Sequence, residues 1–410
     1  MPAAPHTLPA ASSAMTPALI VLVLTLLLGI QPVTTDLYLP ALPSLTEGFA
    51  APLSQAQLTL TALLLAFGTS QLVWGPLSDR FGRRPVLLWG LGAYTLASVG
   101  CALAPSMPLL IVWRTVQGAA MGAGVMGARA IVRDLYTPEI GARVLSRGLT
   151  GLGLIACMSP SLGGLLSDLW GWRYALTALA VFGALSLSLV ALRFEETVPR
   201  MNPLALRPAT LFATWLMILR HPTFLAWSAL TAAAYAGLFT FLASSSFVFI
   251  KVLGLTRTQY GLVMFSASFA YLLGTVLCRR LLPRYGVRRT VALAGVLTLT
   301  GGTLTGVLAL AGLHNGWAIM LPFYVFMLAH GVHQPCGQSG AVGPFPQAAG
   351  AASALNGFLM MITAFVVGGW IGTRLDGTVF PLTNGIWFWS LCISTIAWTL
   401  VRRYGDPRRP

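Results

Sequence analysis

Gly75-Pro76-Leu77-Ser78-Asp79-Arg80-Phe81-Gly82-Arg83-Arg84-Pro85 packs three arginines and one acid into a short stretch between two long apolar runs. Charge of this density is rare in the chain: of 410 residues 9% are charged and 56% hydrophobic, and the mean hydropathy is +0.78. That composition excludes an ordinary water-soluble domain and points to a membrane protein. A charged turn between two spanning helices must sit at a water interface, and arginines favour the cytoplasmic one.

The formal net charge of +15 is of a size that nucleic-acid binders carry. Here, however, the basic residues lie in short clusters between apolar segments of about 20 residues, the length a helix needs to cross a bilayer. The charge therefore reads as topology, with lipid and not nucleic acid as the expected surroundings. Twelve spans are predicted, at 17–42, 55–77, 86–104, 108–132, 144–166, 172–192, 222–248, 259–282, 290–313, 317–340, 348–372 and 381–401. The expected fold is an all-α membrane protein of two six-helix bundles, residues 1–192 and 222–410. A Pro- and Arg-rich cytoplasmic linker carrying Glu195-Glu196, residues 193–221, joins them.

Placing both termini in the cytoplasm puts most arginines on the inner side, including Arg200, Arg408 and Arg409, and leaves only Arg173, Lys251, Arg257 and Arg374 outside. The bias specifies the orientation strongly. Trp170, Trp172, Trp317 and Trp387 fall near span ends, as an interfacial belt would have them. The first span has no basic n-region or small-residue cleavage pattern, so a removable signal peptide is not expected. Cys101, Cys157, Cys278, Cys336 and Cys392 show no paired spacing and indicate neither a disulfide framework nor a metal site.

The 75–85 stretch has a second, altered copy. Pro283-Arg284-Tyr285-Gly286-Val287-Arg288-Arg289 keeps the aromatic-Gly pair and the paired arginines at the matching inter-helix position, with Pro283 where the first has Asp79. Duplicated halves of this kind are common in transporters. Gly75, Asp79, Arg80, Gly82, Arg83 and Arg84 match the loop motif between helices two and three of the major facilitator superfamily, which the chain resembles. Thr35-Asp36-Leu37-Tyr38-Leu39-Pro40-Ala41-Leu42-Pro43 is similar to the first-helix signature of the Bcr/CflA group of drug:proton antiporters. Residues 110–118, Leu-Ile-Val-Trp-Arg-Thr-Val-Gln-Gly, resemble the fourth-helix motif, and residues 348–369 the group's eleventh helix.

Physically, the loop suits a switch. A Gly-Pro turn at the end of helix two is expected to reverse the chain, Asp79 to face a helix N-terminus or an arginine, and Gly82 to permit close approach. Contacts made in one packing of two halves and broken in the other bias a conformational equilibrium. The resemblance implies a latch that closes the cytoplasmic side when the transporter faces outward. The alternative is a solvated basic loop that only sets topology, which would need no acid at position 79.

Inside a membrane, charge needs a reason. Asp36 and Arg114 are the acid and base placed within spans, and the resemblance assigns them to proton coupling and substrate recognition. Alternatively Asp36, about 19 residues and roughly 28 Å into its span, marks the outer helix end, and Arg114 snorkels to an interface. The fifth span carries Pro160, Gly163 and Gly164 of an antiporter-type motif, with Cys157 and Ser159 near or at family glycine positions. Ordinary small-residue packing explains the same stretch. Tyr38, Gln117, Tyr235, Phe239, His330 and His333 are candidate cavity residues. His330 and His333 share one helix face but have no further ligands nearby for a metal.

Lys251 is the only lysine, so no phosphate-binding Gly-Lys-Ser/Thr loop exists, and no His-Glu-x-x-His motif appears. ATP is therefore not the expected energy source, no cofactor is expected, and the chain is not read as an enzyme. The expectation is a monomeric secondary transporter of the bacterial inner membrane. It would use the proton gradient to export small amphiphilic drugs or metabolites by alternating access. A symporter or facilitator for uptake, and a non-transporting receptor or assembly factor, remain as alternatives.

Overall fold

The computed structural model describes residues 15–198 and 201–406. Arg200, Arg408, Arg409 and both chain ends, used above for orientation, lie outside them. Helix α1, Pro17–Asp36, starts under a Thr16 cap whose hydroxyl accepts from the Leu19 amide at 3.3 Å. It stops at Asp36 for a local reason. The next donor for the Asp36 carbonyl would be the amide of residue 40, and Pro40 has none. A 3₁₀ turn, Leu39–Ala41, and a short helix α2, Leu42–Gly48, then carry the span onward. The first crossing thus runs to Gly48, 32 residues in all, beyond the expected end at 42.

Helices α3, Leu53–Phe81, and α4, Arg83–Leu103, meet at Gly82. The expected reversal at Gly75-Pro76 is not there: Pro76 lies inside α3, and the chain turns only at Gly82, whose φ of +98° suits glycine. Helices α5, Met107–Leu135, α6, Pro138–Leu169, and α7, Trp172–Arg193, complete the first half. The linker contains a helix that its Pro and Arg content concealed. This helix, α8, Pro208–Leu219, is apolar and leaves Phe212, Leu216 and Met217 exposed.

In the second half, α9, Pro222–Ser246, continues through a π-helical turn, Phe247–Val252. Helix α10, Arg257–Leu310, has 54 residues, and only Gly286 has non-helical dihedrals. Gly286 divides it into two limbs of 29 and 24 residues, about 44 and 36 Å at 1.5 Å per residue, each long enough to cross a hydrocarbon core of about 30 Å. Helices α11, Gly316–Val342, α12, Ala349–Arg374, α13, Phe380–Trp398, and the short α14, Leu400–Tyr404, follow. Among the described residues eleven helical stretches are long and apolar enough to span a membrane. With α10 counted twice, they account for the twelve predicted spans.

Within the first half α1 packs on α6, and α4 on α5 and α7; within the second, α10 packs on α11 and α13, and α9 on α12. The halves meet along two seams, α3 against α12 and α6 against α10. Exposed Leu96, Leu185, Leu192 and Val366 lie on the outer surface. A water-soluble protein would bury such a surface, and a bilayer accommodates it.

Candidate functional site

A cavity of about 250 Å³ lies between the halves, with Gln31, Thr35 and Asp36 on one wall and Tyr235, Tyr271 and His330 on the other. Phe241, Phe323, Met264, Met327 and Met360 supply apolar surface. Asp36 is the one carboxylate on this wall, and no Lys or Arg faces it there. Its Oδ1 accepts a hydrogen bond from the Thr35 hydroxyl at 2.7 Å. The apolar stretch continues to Gly48, twelve residues beyond Asp36, and Asp36 lines the cavity between the halves. A carboxylate on a cavity wall is a group able to take up and give up a proton.

Arg114 is elsewhere. It is fully buried, not snorkelling, and among the described residues it forms no ion pair with Asp36 or any other carboxylate. Its Nη1 donates to Gln117 Oε1 at 2.6 Å and its Nη2 to the Thr34 carbonyl at 3.1 Å, while the guanidinium sits 4.2 Å above the Tyr38 ring. Gln117 in turn donates to Ser98 at 2.6 Å, and the Tyr38 hydroxyl meets Thr59 at 2.7 Å. Arg114 meets the backbone carbonyl of Thr34 and the ring of Tyr38, which flank Asp36 in sequence, while the Asp36 side chain lines the cavity. Direct tuning of Asp36 by Arg114 is therefore absent in this conformation. Arg114 instead joins α1 and α5, helped by a desolvated cation–π contact worth about 2 kcal/mol.

Of the candidate cavity residues, Tyr235 and His330 line the space. Tyr38, Gln117, Phe239 and His333 do not. Tyr38 and Gln117 belong to the Arg114 network, Phe239 packs against Tyr235 with ring centroids 6.4 Å apart, and His333 Nε2 bonds Thr298 at 3.0 Å. Among the described residues no cluster of three His, Cys, Asp or Glu could hold a metal.

At the loop motif, Arg83 is the hub. Only 3% exposed, it bonds Asp134 through Nε at 2.7 Å and, through Nη1, both Asp79 and Ser78 at 2.7 Å. Asp79 also meets Arg133 at 3.7 Å, and Arg133 Nη1 lies beside Gly350 at the start of α12. The Glu196 carboxylate caps α4, accepting from the amides of Arg83 at 2.8 Å and Arg84 at 3.0 Å. Negative charge is stabilised at such a helix end. A Cβ on Gly82 would stand 2.4 Å from Glu196 Oε2, so the turn is shaped around that carboxylate. Arg84 Nη2 donates to the Ala191 carbonyl at 2.9 Å, and Arg80 is exposed over its own neighbour Phe81. Substituting Arg83 by Met would leave Asp134, 7% exposed, with the exposed Arg133 Nε at 4.0 Å as its remaining counter-charge. The expected loss is about 3–5 kcal/mol, read as a lower melting temperature of the purified protein.

The face opposite the loop motif is closed by contacts between the halves. Lys251 pairs with Glu47, and Arg257 with Asp168 at 3.2 Å. Arg257 Nε donates to Ser44 at 2.9 Å, and the Thr258 amide and hydroxyl donate to Asp168 at 2.8 and 2.6 Å. Gly164 allows this closeness, since a Cβ there would lie 2.4 Å from the Arg257 carbonyl oxygen; Gly163 packs within the first half, where a Cβ would lie 1.9 Å from the Leu37 carbonyl oxygen. The backbone of Pro160 borders Gly261 of α10 in the same seam. On the loop-motif face, Arg129 reaches Ser353 across the halves. A smaller hollow of about 60 Å³ shares Gln31, Gln338 and Met360 with the central cavity and leads toward that contact.

The sequence reading missed Glu47, Asp168, Asp134 and Glu196. Two of the outer cations it isolated, Lys251 and Arg257, were the available signal for the first two.

The Major Facilitator Superfamily family model matches residues 24–369. Multidrug resistance protein D of Escherichia coli is 28% identical over 350 residues, 85% of this chain and 87% of that protein. The bicyclomycin resistance protein homolog of Haemophilus influenzae is 24% identical over 362 residues, 88% of this chain and 91% of that one. These relatives accord with the Bcr/CflA-type resemblance of the first helix. Among solved structures, a major facilitator proton:xylose symporter superposes with a TM-score of 0.73 at 17% identity, covering 96% of this chain and 97% of its own. The duplicated loop, the two seams around a shared cavity and the family match lead to one assignment: the chain belongs to the Major Facilitator Superfamily and is a multi-pass membrane transporter, not an enzyme.

Proposed function

We propose that the transporter exports small amphiphilic molecules across the bacterial inner membrane in exchange for protons, as a monomer without a bound cofactor. The observation that carries this reading is Asp36, a single carboxylate at a helix break on the wall of a cavity that both halves share. Met, Phe and Tyr surfaces around it suit varied apolar ligands. Relatives named for multidrug and bicyclomycin resistance support the substrate class and the export direction.

In this reading the loop-motif face is cytoplasmic, and the ion pairs of Lys251 and Arg257 close the periplasmic side. The Asp79–Arg83 hub bonds within its own half here, which fits a latch released while the outer face is shut. Proton and substrate must oppose one another's binding for exchange to occur. Inverted vesicles acidified inside test the direction. Antiport predicts that adding a transported amphiphile raises lumenal pH, as protons leave in exchange. No such change across a broad panel of antibiotics and metabolites would reject it, and substrate-driven acidification of the lumen would indicate symport.

A further inference from the structure

The two copies of the loop motif differ in how their charge is satisfied. In the first, the Gly82 turn wraps the Glu196 carboxylate, and Arg83 is ion-paired to two aspartates. In the second, Gly286 makes the equivalent turn with φ of +71°, and nothing lies within 4 Å of where its Cβ would stand. Aligned on the glycine, Val287 replaces the hub arginine and Pro283 replaces Asp79. Beside Gly286 the structure has a cavity of about 800 Å³, with Arg288, Arg289 and Arg402 on its wall and Asp406 as the one acid there. Three arginines thus stand against one acid on this wall, so the lining carries a net positive charge.

We propose that this pocket binds a phosphate group, that of an anionic glycerophospholipid headgroup. Three arginines line one space, and guanidinium matches phosphate oxygens in geometry and charge. The pocket is fixed between α10 and the consecutive helices α13 and α14, because Arg288 donates to the Arg402 carbonyl and Trp398 Nε1 donates to the Ala292 carbonyl at 3.0 Å. In the first half a carboxylate fills the corresponding turn, so the fold at this position already accepts an anion. A lipid is favoured over a soluble phosphate because the rim is apolar: Tyr285, Val287 and Trp398 line the pocket and are exposed. The site also sits where the limbs of α10 join, at the level where a spanning chain meets headgroups, and basic pockets at that level bind anionic lipids.

The test uses the delipidated full-length protein in detergent, titrated with phosphatidylglycerol or phosphatidylcholine and read by native mass spectrometry. Phosphatidylglycerol is expected to bind at least about tenfold more tightly, a difference of about 1.4 kcal/mol. The combined variant R288Q, R289Q and R402Q should abolish that preference. The control R147Q, R207Q and R220Q removes the same charge from exposed arginines outside the pocket and should keep it. If the first variant does not fold, R289Q alone, which leaves the Arg288–Arg402 contact intact, should lose part of the preference. Equal binding of the two lipids, or equal loss in pocket and control variants, would overturn the proposal. Displacement of phosphatidylglycerol by micromolar glycerol 1-phosphate would assign the pocket to a soluble phosphate ester and overturn the lipid assignment.

Discussion

Asp36→Asn is expected to reduce proton-driven efflux to the level of vesicles lacking the protein, with insertion and melting temperature unchanged. Asn has nearly the same volume and keeps an oxygen to accept the 2.7 Å bond from Thr35, so the helix break and cavity wall should persist. What it loses is a group that can exchange a proton. Among the described residues no second carboxylate faces the cavity to take over, and Arg114 is engaged with Gln117, Thr34 and Tyr38. Asp36→Glu keeps the titrating group and should retain part of the activity. Substrate accumulation in inverted vesicles, with and without an imposed proton gradient, measures this. Full gradient-driven transport by the Asn variant would remove Asp36 from the coupling role.

The next largest effect is expected at the neighbouring glycines of α6, which differ in what they touch. Gly163 packs against Leu37 of the same half, so Gly163→Ala should disturb every conformation and lower stability. Gly164 packs against Arg257 of the other half, so Gly164→Ala should disturb only the state closed at the face opposite the loop motif. Overpacking costs about 1–3 kcal/mol, and charged to one state alone that shifts a two-state population by roughly 5–150-fold. Spin labels at Ala50 and Val252, flanking the Glu47–Lys251 pair, should therefore report longer distances in Gly164→Ala than in the parent. Identical distance distributions would mean that the α6–α10 seam does not hold this face shut.

Much of the fold was legible because membrane crossing leaves a linear signature: long apolar runs, arginines between them, and a duplicated loop. The cavity acid was legible for a related reason, since few acids fall inside spans. Three features were not. The Gly75-Pro76 pair suggests a turn by local rules, yet packing keeps α3 helical through Pro76 until Gly82. Arg114 and Asp36 read as partners because both are charges in spans, but three-dimensional packing decides contact, and Arg114 meets the Thr34 carbonyl and the Tyr38 ring instead of Asp36. The pairing of Glu47 with Lys251 and of Asp168 with Arg257 joins residues 204 and 89 positions apart, and only the meeting of two halves brings them together. Tyr38, Phe239 and His333 show the same limit: an aromatic or titratable residue in a span has two sides to face, and composition does not choose between them.

The central claim is that proton and substrate compete through Asp36. Adding a transported amphiphile to purified protein in weakly buffered detergent solution, with a pH indicator, tests it most directly. The account predicts proton release on substrate binding by the parent protein and none by Asp36→Asn at saturating substrate. Equal release by both proteins, or no release by the parent while substrate binds, would contradict it.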